Sequence, residues 1–93
     1  MVSKTIPVDV FDLTIFGATG DLAKRKILPG LFRRMRAGQF DTNSRIIGAS
    51  RKDYDTAAFR AEVHDALKEH IKPENLKEEQ VQAFLGCLDY VTV

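Results

Sequence analysis

Gly17 and Gly20 stand three residues apart within I-F-G-A-T-G-D-L-A-K-R-K, residues 15–26. Glycine permits a tight turn and a close approach of the backbone to a ligand, and a helix that follows directs its free amides and positive dipole end at that ligand. These features favour a bound pyrophosphate, held by amides that the bend at residues 17–20 frees. The spacing G-x-x-G-x-x-A matches the dinucleotide fingerprint G-x-G-x-x-G/A only in part, because the middle glycine is displaced by one residue.

A second group of candidate residues follows the next predicted strand and consists of Ser50, Arg51 and Lys52. At this point of a dinucleotide-binding fold, a carboxylate accepts hydrogen bonds from the ribose hydroxyls of NAD, whereas an arginine pairs with the 2′-phosphate of NADP. Arg51 offers a bidentate, charge-assisted partner and Ser50 a hydroxyl donor. We therefore predict NADP in preference to NAD, although Asp53 leaves the use of both open. The alternative interpretation is that Arg51 and Lys52 are solvated loop residues.

The elements that must position these residues alternate between strand and helix. Apolar periodicity, turn residues and capping residues predict strands at residues 10–16, 44–50 and 88–93, and helices at 21–37, from the N-cap Asp55 to before Pro73, and at 78–86. The first strand should be largely buried. Pro29 should either kink the first helix or tilt its first turn away, and the apolar stripe that continues across it favours the kink. This order predicts an α/β fold, a partial Rossmann-like doubly wound parallel sheet of three strands and about three helices.

Composition limits the function classes. The chain has 93 residues, a net charge of +1 and one cysteine. Its length allows one domain at most, and its 44% hydrophobic and 29% charged residues are typical of a folded protein. The lone Cys87 excludes an internal disulfide and a multi-thiolate zinc site, so we expect a core cysteine and no metal. We also expect no membrane span and a cytoplasmic location, and no secretion signal at the N-terminus, where Lys4 is followed by Pro7, Asp9 and Asp12.

The predicted last strand would present an unpaired edge that carries Tyr90, Val91 and Val93. Such an edge is a poor place for a natural chain to end. We therefore expect residues 1–93 to be the N-terminal part of a dinucleotide-binding domain for NADP, with the remainder of that domain and a substrate domain absent.

The run F-G-A-T-G-D-L-A-K-R-K-I-L-P-G-L-F, residues 16–32, resembles the N-terminal signature of the glucose-6-phosphate dehydrogenase family. Likewise, R-I-I-G-A-S-R, residues 45–51, resembles that family's second strand and its NADP-selecting arginine. The resemblance runs over the whole chain but covers only the opening fraction of a family member. It implies oxidation of glucose 6-phosphate to 6-phosphogluconolactone with reduction of NADP, the entry step of the pentose phosphate pathway.

The resemblance also implies roles for individual residues. The cofactor turn would consist of Gly17, Ala18, Thr19, Gly20, Asp21 and Leu22. Ser50 and Arg51 would hold the 2′-phosphate. Lys26 would be the lysine that reaches the active site, near the substrate phosphate or the nicotinamide end, although the charge pattern alone indicates a solvated helix cation. The partner would be a sugar phosphate, and we expect the full-length protein to be a homo-oligomer.

One part of the family pattern is absent. The family's general base is a histidine in a motif that resembles D-H-Y-L-G-K, and this chain contains no such motif. His64 and His70 lie in acidic, solvated sequence and are expected at the surface. The chain alone is therefore predicted to be inactive.

Two alternatives stay open. G-A-T-G also opens the dinucleotide turn of short-chain reductases and epimerases, although these usually carry another glycine where this chain has Ala23. A non-enzymatic module could instead place six cations on nucleic-acid phosphates: Lys24, Arg25, Lys26, Arg33, Arg34 and Arg36. Because neither an aromatic platform nor a recognised motif accompanies these cations, we expect no nucleic-acid partner.

Overall fold

The computed structural model describes residues 10–93, which form an α/β fold. In chain order the elements are β1 (Asp12–Phe16), α1 (Leu28–Arg36), β2 (Arg45–Ser50), α2 (Thr56–His70), α3 (Glu78–Gly86) and β3 (Leu88–Thr92). The predicted fold class and order of elements are confirmed. Residues 1–9, where we expected no secretion signal, lie outside the described residues. None of the helices in the described part of the chain is long and apolar enough to span a membrane.

The three strands form a parallel sheet with β2 between β1 and β3. Phe16 pairs with Ala49, and Ser50 pairs with Thr92. The carboxyl ends of all three strands therefore lie at one edge of the sheet. The order corresponds to the first half of a doubly wound dinucleotide-binding sheet, in which ligands bind outside the carboxyl ends of the strands.

The first helix contains the distortion that Pro29 predicts. A proline ring inside a regular α-helix clashes with the carbonyl four residues earlier. Here a π-helical turn at Ala23–Ile27 precedes α1, and Pro29 lies in the first turn of α1. A π-helical turn, which accommodates an extra residue, thus lies directly before the proline, where a kink or a tilted turn was expected.

The three α-helices pack with one face of the sheet in a single apolar core. Its buried residues include Ile15, Ile46 and Leu88 from the strands and Phe32, Phe59 and Phe84 from the helices. Asp55 caps α2 as predicted, because its carboxylate accepts a hydrogen bond of 2.8 Å from the amide of Ala58. Cys87 is buried in the same core, as expected.

The other face of the sheet is not covered by these helices. On β1, Asp12, Thr14 and Phe16 are exposed, and Phe16 is 78% exposed. The prediction of a largely buried first strand was wrong because β1 is an edge strand of this sheet with one uncovered face. The same position accounts for Asp12, which stays in contact with water at the start of an edge strand. On β3, Val91 lies on the same uncovered face as Phe16 and is 45% exposed.

Candidate functional site

The glycine turn, residues 17–20, follows β1 directly and is shaped by its own backbone. Gly17 has φ +69°, in the left-handed region that strains other residues. The amides of Gly17 and Ala18 donate to the carbonyl of Ala49 at 2.8 and 3.2 Å, and the Gly20 amide donates to the Gly17 carbonyl at 2.9 Å. A Cβ at position 20 would lie only 3.1 Å from that Gly17 oxygen. The backbone therefore favours glycine at position 17 through its φ and at position 20 through this close contact.

The amides that can face an anion lie at the end of this turn. The expectation that the bend frees its amides is wrong for the three amides just described, because each already donates to a carbonyl. Among residues 10–93, no backbone acceptor is found for the amides of Thr19, Asp21 and Leu22. These residues lead into the first turn of the helix, where amides lack intrahelical partners and the helix dipole favours negative charge. The arrangement fits a phosphate group.

A hydrogen bond of 3.3 Å from Thr19 Oγ1 to Ser50 Oγ joins the glycine turn to the end of β2. The two segments are neighbours at the same edge of the sheet, as the pairing of β1 with β2 requires. Arg51 follows Ser50 directly and is exposed. One nucleotide placed above this edge can therefore reach both the glycine turn and Arg51.

The Ser50 hydroxyl uses its whole hydrogen-bonding capacity inside the protein. It accepts hydrogen bonds from Thr19 Oγ1 at 3.3 Å and from the Lys52 amide at 3.2 Å. Tyr90 Oη lies 2.5 Å from Ser50 Oγ and donates its own proton to the Lys52 carbonyl, so Ser50 must be the donor to Tyr90. The predicted contact of Ser50 with a phosphate would require one of these bonds to break.

Arg51 and Lys52 have different surroundings. Within residues 10–93, no ion pair or hydrogen bond engages the Arg51 guanidinium. Lys52 Nζ, by contrast, lies 2.9 Å from Glu62 Oε2 and 4.8 Å from the centroid of the Tyr54 ring. Of the two cations, Arg51 is the one available to an anionic ligand.

Glu62 on α2 connects the two parts of the site. Its carboxylate pairs with Lys52 and with Lys24 of the π-helical turn. Burial raises the pKa of Glu62, but hydrogen bonds and charges from the two lysines outweigh burial and hold this pKa below its ordinary value. Burial, together with the neighbouring Glu62 carboxylate, raises the pKa of Tyr54. Glu62 is therefore ionised at neutral pH and ties the first helix to the loop after β2.

A family model described as "Glucose-6-phosphate dehydrogenase, NAD binding domain" matches residues 14–93. The chain belongs to the glucose-6-phosphate dehydrogenase family. Glucose-6-phosphate 1-dehydrogenase of Rhizobium meliloti (strain 1021) is 48% identical over 93 residues, which are 100% of this chain and 19% of the relative. The enzyme of the same name from Gluconobacter oxydans (strain 621H) is 46% identical over 86 residues, 92% of this chain and 18% of the relative.

Solved structures of the glucose-6-phosphate dehydrogenase family share this fold. A glucose-6-phosphate dehydrogenase in complex with its substrate glucose-6-phosphate superposes with a TM-score of 0.81 at 34% identity, over 98% of this chain and 18% of that chain. Glucose-6-phosphate 1-dehydrogenase from Mycobacterium avium superposes with a TM-score of 0.79 at 25% identity, over 90% of this chain and 18% of that chain. The chain thus spans less than a fifth of the length of these relatives.

Membership of the glucose-6-phosphate dehydrogenase family decides against the short-chain reductase or epimerase alternative. The other alternative was a module that binds nucleic-acid phosphates through six cations within residues 24–36. Four of these six cations contact groups of this chain. Lys24 pairs with Glu62, Arg25 with Asp21, Arg33 donates to the His70 carbonyl and Arg36 donates to Asn75 Oδ1. These contacts explain most of the cations as structural or solvated helix residues.

Lys26, the predicted active-site lysine of the dehydrogenase, lies exposed on the π-helical turn. Its neighbours Lys24 and Arg25 are both engaged in ion pairs, whereas no ion pair engages Lys26 within residues 10–93. Its ammonium group is therefore available to a ligand. His64 and His70, expected at the surface, are half-buried on α2.

Sequence reasoning assigned no role to Glu62, Tyr90 or Thr92, which all contact the loop after β2. A signal for the last two was present, because residues 90 and 92 of a strand share one face and both carry hydroxyls. No such signal marks Glu62, one of several acids on the predicted second helix. Its partners become evident only once the helix packs beside the site.

Proposed function

We infer that this chain is the N-terminal cofactor-binding segment of an NADP-dependent dehydrogenase that oxidises glucose 6-phosphate to 6-phosphogluconolactone, in the pentose phosphate pathway. The hydrogen bond between Thr19 and Ser50 carries the proposal, because it places the glycine turn beside Arg51. A single dinucleotide can then contact both features. The relatives named above support the substrate assignment.

The described residues fit the diphosphate of the cofactor. The positive φ of Gly17 and the tight contact at Gly20 keep two positions of the turn free of side chains, so a phosphate can approach the backbone there. The amides of Thr19, Asp21 and Leu22 would donate to the phosphate oxygens, and Ala18 and Gly20 would form the floor of the turn. When bound, the cofactor supplies the hydride acceptor of the reaction.

Arg51 would select NADP over NAD. Its guanidinium is exposed and has no partner within residues 10–93, so it can pair with the 2′-phosphate without breaking an existing bond. Ser50 would support this contact through the loop rather than through its fully engaged hydroxyl. Asp53 is exposed two residues beyond Arg51 and could accept hydrogen bonds from the ribose hydroxyls of NAD, so the use of both cofactors stays open.

Lys26 would bring a positive charge to the active site, near the substrate phosphate or the nicotinamide end. The proposal leaves general-base chemistry to residues outside this chain, so the chain alone would not turn over substrate. A cytoplasmic location and a homo-oligomeric full-length protein stay predictions.

The test is Arg51→Glu in the full-length protein that carries this chain. We expect the Kd of NADP to rise by at least about tenfold, because a charge-assisted hydrogen bond worth about 1.5–3 kcal/mol is lost and a repulsive carboxylate is gained. The Kd of NAD should change by less than about twofold, since NAD has no 2′-phosphate. Isothermal titration calorimetry measures both constants.

Arg34→Glu is the matched control, because Arg34 is an exposed arginine of α1 away from the end of β2. It makes the same change of net charge and should leave both dissociation constants unaltered. Equal losses of NADP and NAD affinity in Arg51→Glu would contradict the assignment of Arg51.

A further inference from the structure

The backbone of Lys52, the residue that follows Arg51, is held by three hydroxyl groups. Tyr90 Oη donates to the Lys52 carbonyl at 2.5 Å, and Thr92 Oγ1 donates to the same oxygen at 3.1 Å. On the other side of the residue, the Lys52 amide donates to Ser50 Oγ at 3.2 Å. An exposed loop residue therefore has both of its backbone polar groups fixed by side chains.

These hydrogen bonds to Lys52 help to fix the backbone position from which the Arg51 side chain extends. Arg51 lies between Ser50 and Lys52, and its own side chain makes no contact that would fix it within residues 10–93. Its backbone position is set through its two neighbours. An arginine that starts from a fixed backbone loses less conformational freedom when it pairs with a ligand, and this strengthens binding.

Tyr90 is itself held rigidly. Its ring contacts Tyr54 edge to face, with centroids 4.6 Å apart, and lies 5.3 Å from the Phe59 ring. Its amide donates to Thr56 Oγ1 at 3.1 Å. The ring is therefore enclosed by the loop and α2, and its hydroxyl stands at a defined point between Ser50 Oγ and the Lys52 carbonyl.

We propose that Tyr90, through its hydroxyl, is a positioning residue for cofactor specificity: it holds the Lys52 carbonyl, fixes the backbone next to Arg51 and thereby aims Arg51 at the 2′-phosphate of NADP. The proposal rests on the proposed function of Arg51. It assigns Tyr90 no contact with the cofactor. Tyr90 on β3 would thus influence the preference for NADP over NAD that Arg51, directly after β2, determines.

Tyr90→Phe in the full-length protein tests the proposal, because phenylalanine keeps the ring contacts with Tyr54 and Phe59 and removes only the hydroxyl. We expect the Kd of NADP, measured by isothermal titration calorimetry, to rise about fivefold, the effect of one hydrogen bond. The Kd of NAD should change by less than about twofold, and kcat at saturating NADP should stay the same.

A second substitution reaches the same carbonyl from another residue. Thr92→Val removes the other hydroxyl donor with little change in volume, and it should shift the NADP to NAD ratio in the same direction by a smaller factor. The combination of Tyr90→Phe with Thr92→Val releases the Lys52 carbonyl completely and should exceed either single change. If one variant fails to fold, the other still measures the anchoring.

Tyr54→Phe is the matched control. Tyr54 is a neighbouring tyrosine whose hydroxyl is not among the groups that hold the Lys52 backbone within residues 10–93. Its replacement should leave the NADP to NAD ratio unaltered. If Tyr54→Phe changed this ratio as much as Tyr90→Phe, the proposal would be overturned. The ratio would then depend on any tyrosine hydroxyl near the loop and not on the hydrogen bond to the Lys52 carbonyl.

The Arg51→Glu variant distinguishes a failure of the positioning role of Tyr90 from a failure of the proposed function of Arg51. If Arg51→Glu lowers NADP affinity selectively while Tyr90→Phe leaves the ratio at its original value, the positioning role is wrong and the proposed function stands. Equal weakening of NADP and NAD in Tyr90→Phe indicates a purely structural role and also overturns the proposal. If Arg51→Glu itself leaves the ratio unaltered, the assignment of NADP to Arg51 fails first.

Discussion

The two loops at the carboxyl edge of the sheet are built in different ways. The glycine turn takes its shape from backbone hydrogen bonds and from the positive φ of Gly17. The loop at residues 51–55 contains no glycine and is held by side chains. Its anchors come from three separate elements and are Ser50, Glu62, Tyr90 and Thr92. A diphosphate turn can thus be encoded in a few consecutive residues, whereas a specificity loop of this kind needs much of the chain.

The difference has a functional counterpart. Every dinucleotide has a diphosphate, so damage to the glycine turn should weaken NADP and NAD alike. Only NADP carries a 2′-phosphate, so damage to the loop should change the ratio of the two affinities. Substitutions in each region, and at the point where the regions meet, test this separation.

The largest effect is expected at Gly48 of β2, which lies beneath both regions. A Cβ there would lie 2.9 Å from Ala18 Cβ in the glycine turn and 2.6 Å from Phe59 Cζ on α2. Gly48→Ala should therefore lower the free energy of unfolding by about 1–3 kcal/mol through overpacking. The midpoint of thermal unfolding of the full-length protein measures the loss, and the affinities for both cofactors should fall together.

Gly30→Ala provides the control for this change. Gly30 lies in α1, and a Cβ there would meet nothing within 4 Å. Alanine in a helix should raise stability by about 0.5–1 kcal/mol relative to glycine. If the Gly48→Ala protein were as stable as the original, the core beneath the two loops would be able to expand. That result would contradict the tight packing of Gly48 against Ala18 and Phe59.

An intermediate effect is expected at Gly17. Gly17→Ala forces a side chain into the left-handed region, at a cost of about 1–2 kcal/mol, or a rearrangement of the turn. NADP and NAD affinities should both fall, by about tenfold, with their ratio unaltered. Equilibrium binding of the two cofactors measures the effect.

Gly38→Ala is a matched control, because Gly38 also has a positive φ, +76°, but follows α1 at a distance in sequence from the turn. It should cost similar stability and leave both affinities intact. A selective loss of NADP affinity in Gly17→Ala would break the separation between the two loops.

The smallest effect is expected at Glu62. Glu62→Gln should lower stability at neutral pH by less than about 1 kcal/mol, since its lysine partners are partly exposed and solvent screens the ion pairs. Because the folded state lowers the pKa of Glu62, its contribution is present above the unfolded pKa of about 4.3 and is lost as the pH falls through the lower folded value. Thermal unfolding of the two proteins as a function of pH should therefore converge in acid.

Glu69→Gln tests whether the loss of any negative charge on α2 lowers stability at neutral pH and not in acid. Glu69 is exposed on the same helix, and no ion pair engages it within residues 10–93. Its replacement should change stability little at any pH. A pH-independent loss in Glu62→Gln would indicate a packing effect instead of the ion pairs.

Local signals allowed much of the fold to be predicted. The glycine turn, the Asp55 cap and the distortion at Pro29 each depend on neighbouring residues, and the alternation of strand and helix then gives a parallel sheet. The burial of β1 was predicted wrongly, because composition shows that a strand is apolar and not which of its faces the helices cover.

The candidate site was predicted in outline, and its side-chain network was not. Ser50 and Arg51 follow from their place after β2, but the direction of the Ser50 hydroxyl depends on Tyr90, 40 positions along the chain. Hydrogen bonds over such a separation have no periodicity to indicate them. They exist only because β2 pairs with β3 and brings the two residues to the same edge.

The uncovered sheet face has a consequence for biosynthesis. It carries Phe16 at 78% and Val91 at 45% exposure, and Val93 beyond β3 is 68% exposed. In a nascent polypeptide that continues past these residues, this face would meet the ribosome surface and other newly made chains before later segments fold over it. The speed with which this face becomes covered, by another segment or by a chaperone, would then determine how much of the newly made polypeptide aggregates.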